Sequence, residues 1–81
     1  MIARPRLPDS LNGLLRSQLE KAIYEAAFHR DDALIAQRYL VEKIPQVEIA
    51  VELGWDRSTV CSRLKVIIPR VEWAANRITS T

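Results

Sequence analysis

The strongest constraint in this 81-residue sequence is Gly54, which separates two stretches whose apolar residues recur at helical spacing. Glycine adopts a positive φ without steric cost, so it can end one helix and let the chain turn sharply into the next. The first stretch, 46–53, offers the apolar residues Val47, Ile49, Ala50 and Leu53. The second, from residue 57 onward, repeats apolar residues at i, i+4, i+7 and i+8, namely Val60, Leu64, Ile67 and Ile68. The pattern predicts two helices joined by a tight turn, with Asp56 as the N-cap of the second helix.

Two further residues support a close, near-perpendicular crossing of these helices. Ala50 lies four residues before Gly54, where a larger side chain would push the two backbones apart. Val60 lies six residues after Gly54, on the inner face of the second helix. We therefore predict a helix-turn-helix over residues 46–65, with a recognition helix at about 57–68.

The outer face of the predicted recognition helix carries only hydrogen-bond donors and no acidic residue. Its members are Arg57, Ser58, Thr59, Ser62, Arg63 and Lys65. Residues 57–70 carry a local charge of +4 while the whole chain carries +2, so the remaining residues sum to −2. Positive charge concentrated on one helix indicates a nucleic-acid partner.

Each candidate contact has an expected role on double-stranded DNA. Arg57 and Lys65, at the two ends of the face, are expected to bind phosphates. Ser58, Thr59, Ser62 and Arg63 are expected to enter the major groove, where arginine can address guanine bidentately. Two positions remain open. Gln46 either binds a phosphate near its helix start or faces solvent, and Arg38 reaches either a phosphate or an internal carboxylate.

Residues 32–68 resemble the region-4 DNA-binding domain of bacterial RNA polymerase sigma factors. They are also similar to small phage and mobile-element regulators with sigma-like helix-turn-helix domains. The residues that carry the resemblance are RYL at 38–40, EIAVELG at 48–54 and RSTVCSRL at 57–64. The resemblance implies that the helix beginning at Arg57 enters the major groove, and that the protein is a bacterial or phage transcription regulator.

The rest of the chain fits one small all-α domain. A content of 48% hydrophobic and 27% charged residues is typical of a folded protein. We predict a bundle of about five helices, at 10–29, 32–42, 46–53, 57–68 and 70–78, forming a single domain over residues 10–81. Pro69 is expected to stop or kink the chain. Residues 1–9 are expected to form a flexible basic arm, in which Arg4 and Arg6 either reach a DNA minor groove or remain solvated.

A homodimer is expected because small helical domains have thin cores. The first predicted helix carries an apolar stripe wider than its own core needs. The stripe comprises Leu11, Leu14, Leu15, Leu19, Ala22, Ile23 and Ala26. The region of Trp73 is a second plausible dimer surface, although Trp73 could equally cover the core.

Catalysis and metal binding are disfavoured by the residue inventory. The chain has one histidine and one cysteine. His29 lies near a predicted helix junction, Cys61 lies within the recognition helix, and no spacing suits a metal site, a cofactor or a phosphate-binding loop. A lone cysteine fits a reducing compartment, so a cytoplasmic location is expected, and no apolar run is long enough to span a membrane.

We therefore expect a sequence-specific DNA-binding transcriptional regulator. A protein-interaction adaptor that contacts RNA polymerase or another regulator through the same sigma-like domain is the main alternative. A non-specific architectural DNA binder is a third possibility, and an enzyme is the least supported class.

Overall fold

The longest element, α5, spans Arg57–Thr79 and packs against all the other α-helices. The computed structural model describes the backbone of residues 9–79 and the side chains of 11–78. The predicted basic arm, including Arg4 and Arg6, therefore lies outside the described residues apart from Asp9. The elements that precede α5 are α1 (Asp9–Asn12), α2 (Arg16–Glu25), α3 (Arg30–Ala36, continued by a π-helix at Gln37–Val41) and α4 (Gln46–Leu53). Residues 9–79 contain no strand, which confirms the predicted all-α class.

Pro69 was predicted to stop or kink the chain, and the stop is wrong, because α5 runs through the proline without interruption. A proline inside a helix costs about 3 kcal/mol or more, since it removes one hydrogen bond and crowds the preceding turn. Burial offsets this cost: Val71 is fully buried beyond the proline, and such a side chain contributes about 1.5–3 kcal/mol. The buried residues of α5 keep one helical spacing across the proline: Val60, Leu64, Ile67, Val71, Ala74 and Ala75. Pro69 itself is exposed, on the opposite side of the helix.

The predicted first helix at 10–29 is also divided. The chain leaves helical geometry at Gly13, resumes it at Arg16 and ends α2 at Glu25. Gly13 weakens the helix, and the interruption lets Leu11 become fully buried while Leu15 stays 67% exposed. The rest of the predicted apolar stripe is buried or half-buried in the core, so little of it is left to form a dimer surface.

The helix predicted at 32–42 begins two residues earlier, at Arg30, and its last turn is widened. The Glu42 N–H donates to the Gln37 carbonyl at 3.1 Å, which is the i→i+5 bond of a π-helix. Tyr39 and Leu40 are buried there. The division of the first predicted helix and the fusion of the last two leave four helices of seven or more residues within 9–79, rather than the predicted five.

The turn between α4 and α5 has the predicted backbone. Gly54 has φ 71° and ψ 30°, in the left-handed region, and the Trp55 N–H donates to the Ala50 carbonyl at 2.9 Å. Ala50 and Val60 are both buried, as the spacing predicted, whereas Val47, which was expected to face inward, is exposed.

Ala27 and Gly54 provide a reciprocal test of backbone strain. Ala27 follows α2 with φ 55°, and an L-residue with a Cβ pays about 1–2 kcal/mol in this conformation. Part of any gain from glycine is lost to the greater freedom of the unfolded chain. Ala27→Gly should therefore raise the free energy of unfolding by about 0.5–1 kcal/mol. Gly54→Ala should lower it by about 1 kcal/mol, although no atom lies within 4 Å of the added Cβ.

Urea titration followed by circular dichroism measures both changes. Stabilisation by Gly54→Ala would contradict the left-handed turn between α4 and α5.

Pro69→Ala tests the continuity of α5. Because the helix already passes through this exposed position, the substitution should restore one backbone hydrogen bond and raise the free energy of unfolding by about 1–2 kcal/mol. Helical content measured by circular dichroism should remain the same. A clear gain of helical content would show that the wild-type helix is broken at Pro69.

Candidate nucleic-acid interface

The first turns of α5 present the predicted DNA-contacting side chains to solvent. Ser58, Thr59 and Ser62 are exposed, as are Arg57 and Lys65 at the two ends of the row. The core lies on the other side of the helix, where Val60 and Leu64 are buried. The chain itself therefore leaves these hydroxyl groups and cations accessible to a partner.

Gln46 and Lys65 lie close together although 19 positions separate them. Both line a shallow cleft of about 310 Å³ between the start of α4 and the middle of α5. Cys61 is half-buried in the same cleft as a free thiol. Next to Gln46, the first N–H groups of α4 have no carbonyl partner within the helix. The cleft thus combines an amide, a cation and the positive end of a helix dipole.

Arg63 is engaged inside the protein. Its Nε donates to Asp32 Oδ1 at 3.0 Å, and its Nη2 donates to the other oxygen of the same carboxylate. Asp32 is only 8% exposed. The hydrogen bond to Asp32, followed by the attraction of its charge, raises the pKa of Arg63 above its ordinary value.

This pairing changes the predicted role of Arg63. A bidentate contact to guanine needs two neighbouring donors of the guanidinium. Nε and Nη2 form such a pair, and in this structure both bond Asp32. Arg63 therefore links α5 to α3 instead of extending towards a base.

Arg38 makes a comparable link between the π-helix and α4. It donates from Nε to Glu52 Oε1 at 3.1 Å and from Nη1 to Glu42 Oε2 at 2.7 Å. These bonds, that with Glu52 first, raise the pKa of Arg38. Of the two predicted alternatives, internal carboxylates rather than a phosphate engage Arg38 here. Arg38 thus links α4 to the π-helix, and Arg63 links α5 to α3.

Arg70 also bonds within the protein. Its Nη2 donates to the Ala26 carbonyl at 2.7 Å, at the C-terminal end of α2, and its guanidinium lies 4.9 Å from the centroid of the Phe28 ring. A cation at this position satisfies a carbonyl that the helix leaves unpaired. Of the four basic residues in 57–70, only Arg57 and Lys65 make no hydrogen bond or ion pair with residues 11–78.

Local sequence patterns could not identify Asp32 as the partner of Arg63. The two residues are 31 positions apart, and an aspartate near a helix start ordinarily indicates capping. His29, rather than Asp31 or Asp32, precedes the first residue of α3, and no side chain there caps the helix. The burial of Asp32 calls for a charged partner, but that burial depends on how α3 and α5 pack and is not visible in the sequence.

Residues 11–78 also contain polar groups and a groove outside the start of α5. Among them, no group of three or more His, Cys, Asp or Glu side chains could hold a metal ion. His29 is exposed. A wide groove between α2 and α3 is lined by both apolar and charged side chains, including Tyr24, Phe28 and Asp31. None of the described helices is long and apolar enough to cross a membrane.

Comparisons with protein-family models, curated proteins and solved structures find no match to this chain. A functional proposal therefore depends on its own residues and their geometry.

Removal of Arg63 should destabilise the fold because it leaves the nearly buried Asp32 carboxylate without its partner. Arg63→Met should lower the urea midpoint, and Asp32→Ala/Arg63→Met should be less destabilised than the sum of the two single variants. Arg16→Met is the matched control, since the pair of Arg16 with Glu20 lies on the surface at 3.4 Å and should contribute little. Strictly additive effects at 32 and 63 would show that the two side chains do not interact in solution.

Proposed function

We propose that this protein is a sequence-specific DNA-binding transcriptional regulator, in which α4 and the first half of α5 act as a helix-turn-helix. The observation that carries the proposal is the exposed, acid-free row at the start of α5, formed by Arg57, Ser58, Thr59, Ser62 and Lys65. From Ser58 to Lys65 the helix rises about 10 Å, which suits a major groove about 12 Å wide.

Within this proposal, phosphates bind at the two ends of the row. Arg57 lies at the N-terminus of α5, where unpaired backbone N–H groups also favour an anion. Lys65 and Gln46 share the cleft at the other end. Ser58, Thr59 and Ser62 lie between them and face the base edges.

In this proposal, Arg63 positions α5 and does not contact a base. Through Asp32 it holds α5 at its angle to α3, while Arg38 holds α4 through Glu52. Serine and threonine hydroxyls are permissive readers of bases, because each can donate or accept a hydrogen bond. We therefore propose modest sequence specificity, with much of the affinity coming from phosphates.

A protein-interaction adaptor is the second candidate, and one observation favours it. Val51 on the outer face of α4 is 78% exposed, and Val47 and Glu48 beside it are exposed as well. An exposed apolar pair next to an acid suits a protein partner such as RNA polymerase better than DNA. A gel-shift series with genomic DNA, run beside a polymerase pull-down of wild type and Val51→Ser, separates the two functions. The predicted homodimer remains a proposal that sedimentation analysis can test.

Loss of the two free cations should weaken DNA binding at every sequence. Arg57→Ala/Lys65→Ala should lower affinity for duplex DNA by at least about tenfold at low salt. The slope of log affinity against log salt should become shallower by about 1.8, because each phosphate contact contributes about 0.9. Fluorescence anisotropy of labelled duplexes over a range of salt concentrations measures both quantities.

The matched control is Arg16→Ala/Arg30→Ala, which removes the same charge from exposed positions outside α5. It should leave the slope nearly unchanged. Ser62→Ala should instead alter sequence preference at one position and keep the slope. Equal losses from the two double variants would mean that net charge, and not this face of α5, determines binding.

A further inference from the structure

The exposed side of α5 continues well beyond the residues proposed to read bases. Because the helix does not break at Pro69, its outward-facing residues recur every three or four positions along one line. We call this line the outer stripe of α5. It comprises Ser58, Ser62, Lys65, Pro69, Trp73 and Asn76, all of which are exposed.

The far end of the outer stripe combines an aromatic ring with a cation. Trp73 is 59% exposed, and the Arg77 guanidinium lies 4.8 Å from the centroid of its ring. Lys21 and Glu25 of α2 line a small cleft beside them. Val66, also exposed, adjoins the stripe towards its N-terminal half. Tryptophan and arginine are both enriched where proteins bind partners, and here an exposed tryptophan lies against an arginine.

The charges around Trp73 select the kind of partner. A second copy placed against this side of α5 would add its own Lys65 and Arg77 cations to the same surface, and like charges repel. The single acid of α5, Glu72, is half-buried and already has an interaction. A polyanion is instead attracted by Lys65 and Arg77, which outnumber Glu25, the acid of the cleft beside Trp73. The outer stripe is also continuous with the face proposed to bind DNA.

We infer that the DNA interface extends along α5 past Pro69, with Trp73 packing on the sugar–phosphate backbone and Arg77 binding a phosphate. This inference rests on the proposed function. Trp73 lies about 22 Å along the helix from Ser58, whereas the major groove is about 12 Å wide. For a helix that enters the groove by its N-terminal end, Trp73 then lies outside the groove, over the flanking backbone. Contacts there position the helix and carry no direct sequence information.

Tryptophan fluorescence tests the contact directly. The chain has two tryptophans, so Trp55→Phe leaves Trp73 as the only one. On titration with a short duplex of random sequence, the Trp73 emission should change and its quenching by acrylamide should fall. Unfolding by urea, measured on the same variant, verifies that it remains folded.

Affinity measurements complete the test. Trp73→Ser should weaken duplex binding by about three- to tenfold with an unchanged salt slope, whereas Arg77→Ala should also lower the slope by about 0.9. Tyr24→Ser is the matched control, because Tyr24 is an exposed aromatic residue on α2 and should not affect binding.

Each alternative result has a distinct meaning. If Trp73→Ser binds duplex DNA as tightly as the wild type does, and if DNA does not change the acrylamide quenching of Trp73, this inference is overturned. The proposed function is then left intact. No duplex binding by the wild type at any salt concentration overturns both. A wild-type dimer that Trp73→Ser converts to a monomer, with DNA affinity unchanged, would assign the surface to self-association and refute the DNA contact.

Discussion

The burial of one continuous apolar stripe on α5 underlies the rest of the structure. Val60, Ile67 and Val71 are fully buried along a single helix, and α1 to α4 pack around that helix. Since a helix that buries one side must expose the other, the core also determines the outer stripe. Core and proposed interface are thus two sides of the same element. A change that tilts α5 would alter stability and DNA recognition together.

Some basic side chains bond within the protein and others face solvent, and the net charge does not distinguish the two groups. Arg38, Arg63 and Arg70 all bond within the protein, to carboxylates of Asp32, Glu42 and Glu52 or to the end of α2. These bonds hold α4 and α5 in position but remove cations from the surface available to phosphates. With so few free cations on the proposed reading face, strong binding would need contacts elsewhere, because affinity for DNA grows with the number of phosphates neutralised. The proposed contacts of Trp73 and Arg77 would meet part of that need.

Local signals identified some turns and missed others for a common reason. Gly54 marked its turn because glycine is the residue that favours a left-handed backbone. Ala27 and Lys43 adopt the same backbone region without being glycine. Lys43 also donates to the Leu40 carbonyl at 2.8 Å. At those two positions residues other than glycine adopt the left-handed backbone, so residue type did not indicate where the helices end.

The sequence alone determined the all-helical class, the turn at Gly54 and the exposed hydroxyl and basic row of α5, because these follow from periodicity and from one residue's backbone freedom. Only the tertiary structure decided that α5 continues through Pro69 and that Arg63 bonds Asp32. The helix continues because burying the apolar side chains of α5 beyond Pro69, against residues distant in the chain, offsets the local cost of the proline. The bond between Arg63 and Asp32 depends on a carboxylate that becomes nearly buried only once α3 and α5 meet. Local sequence patterns predict neither result, because both depend on contacts between distant parts of the chain.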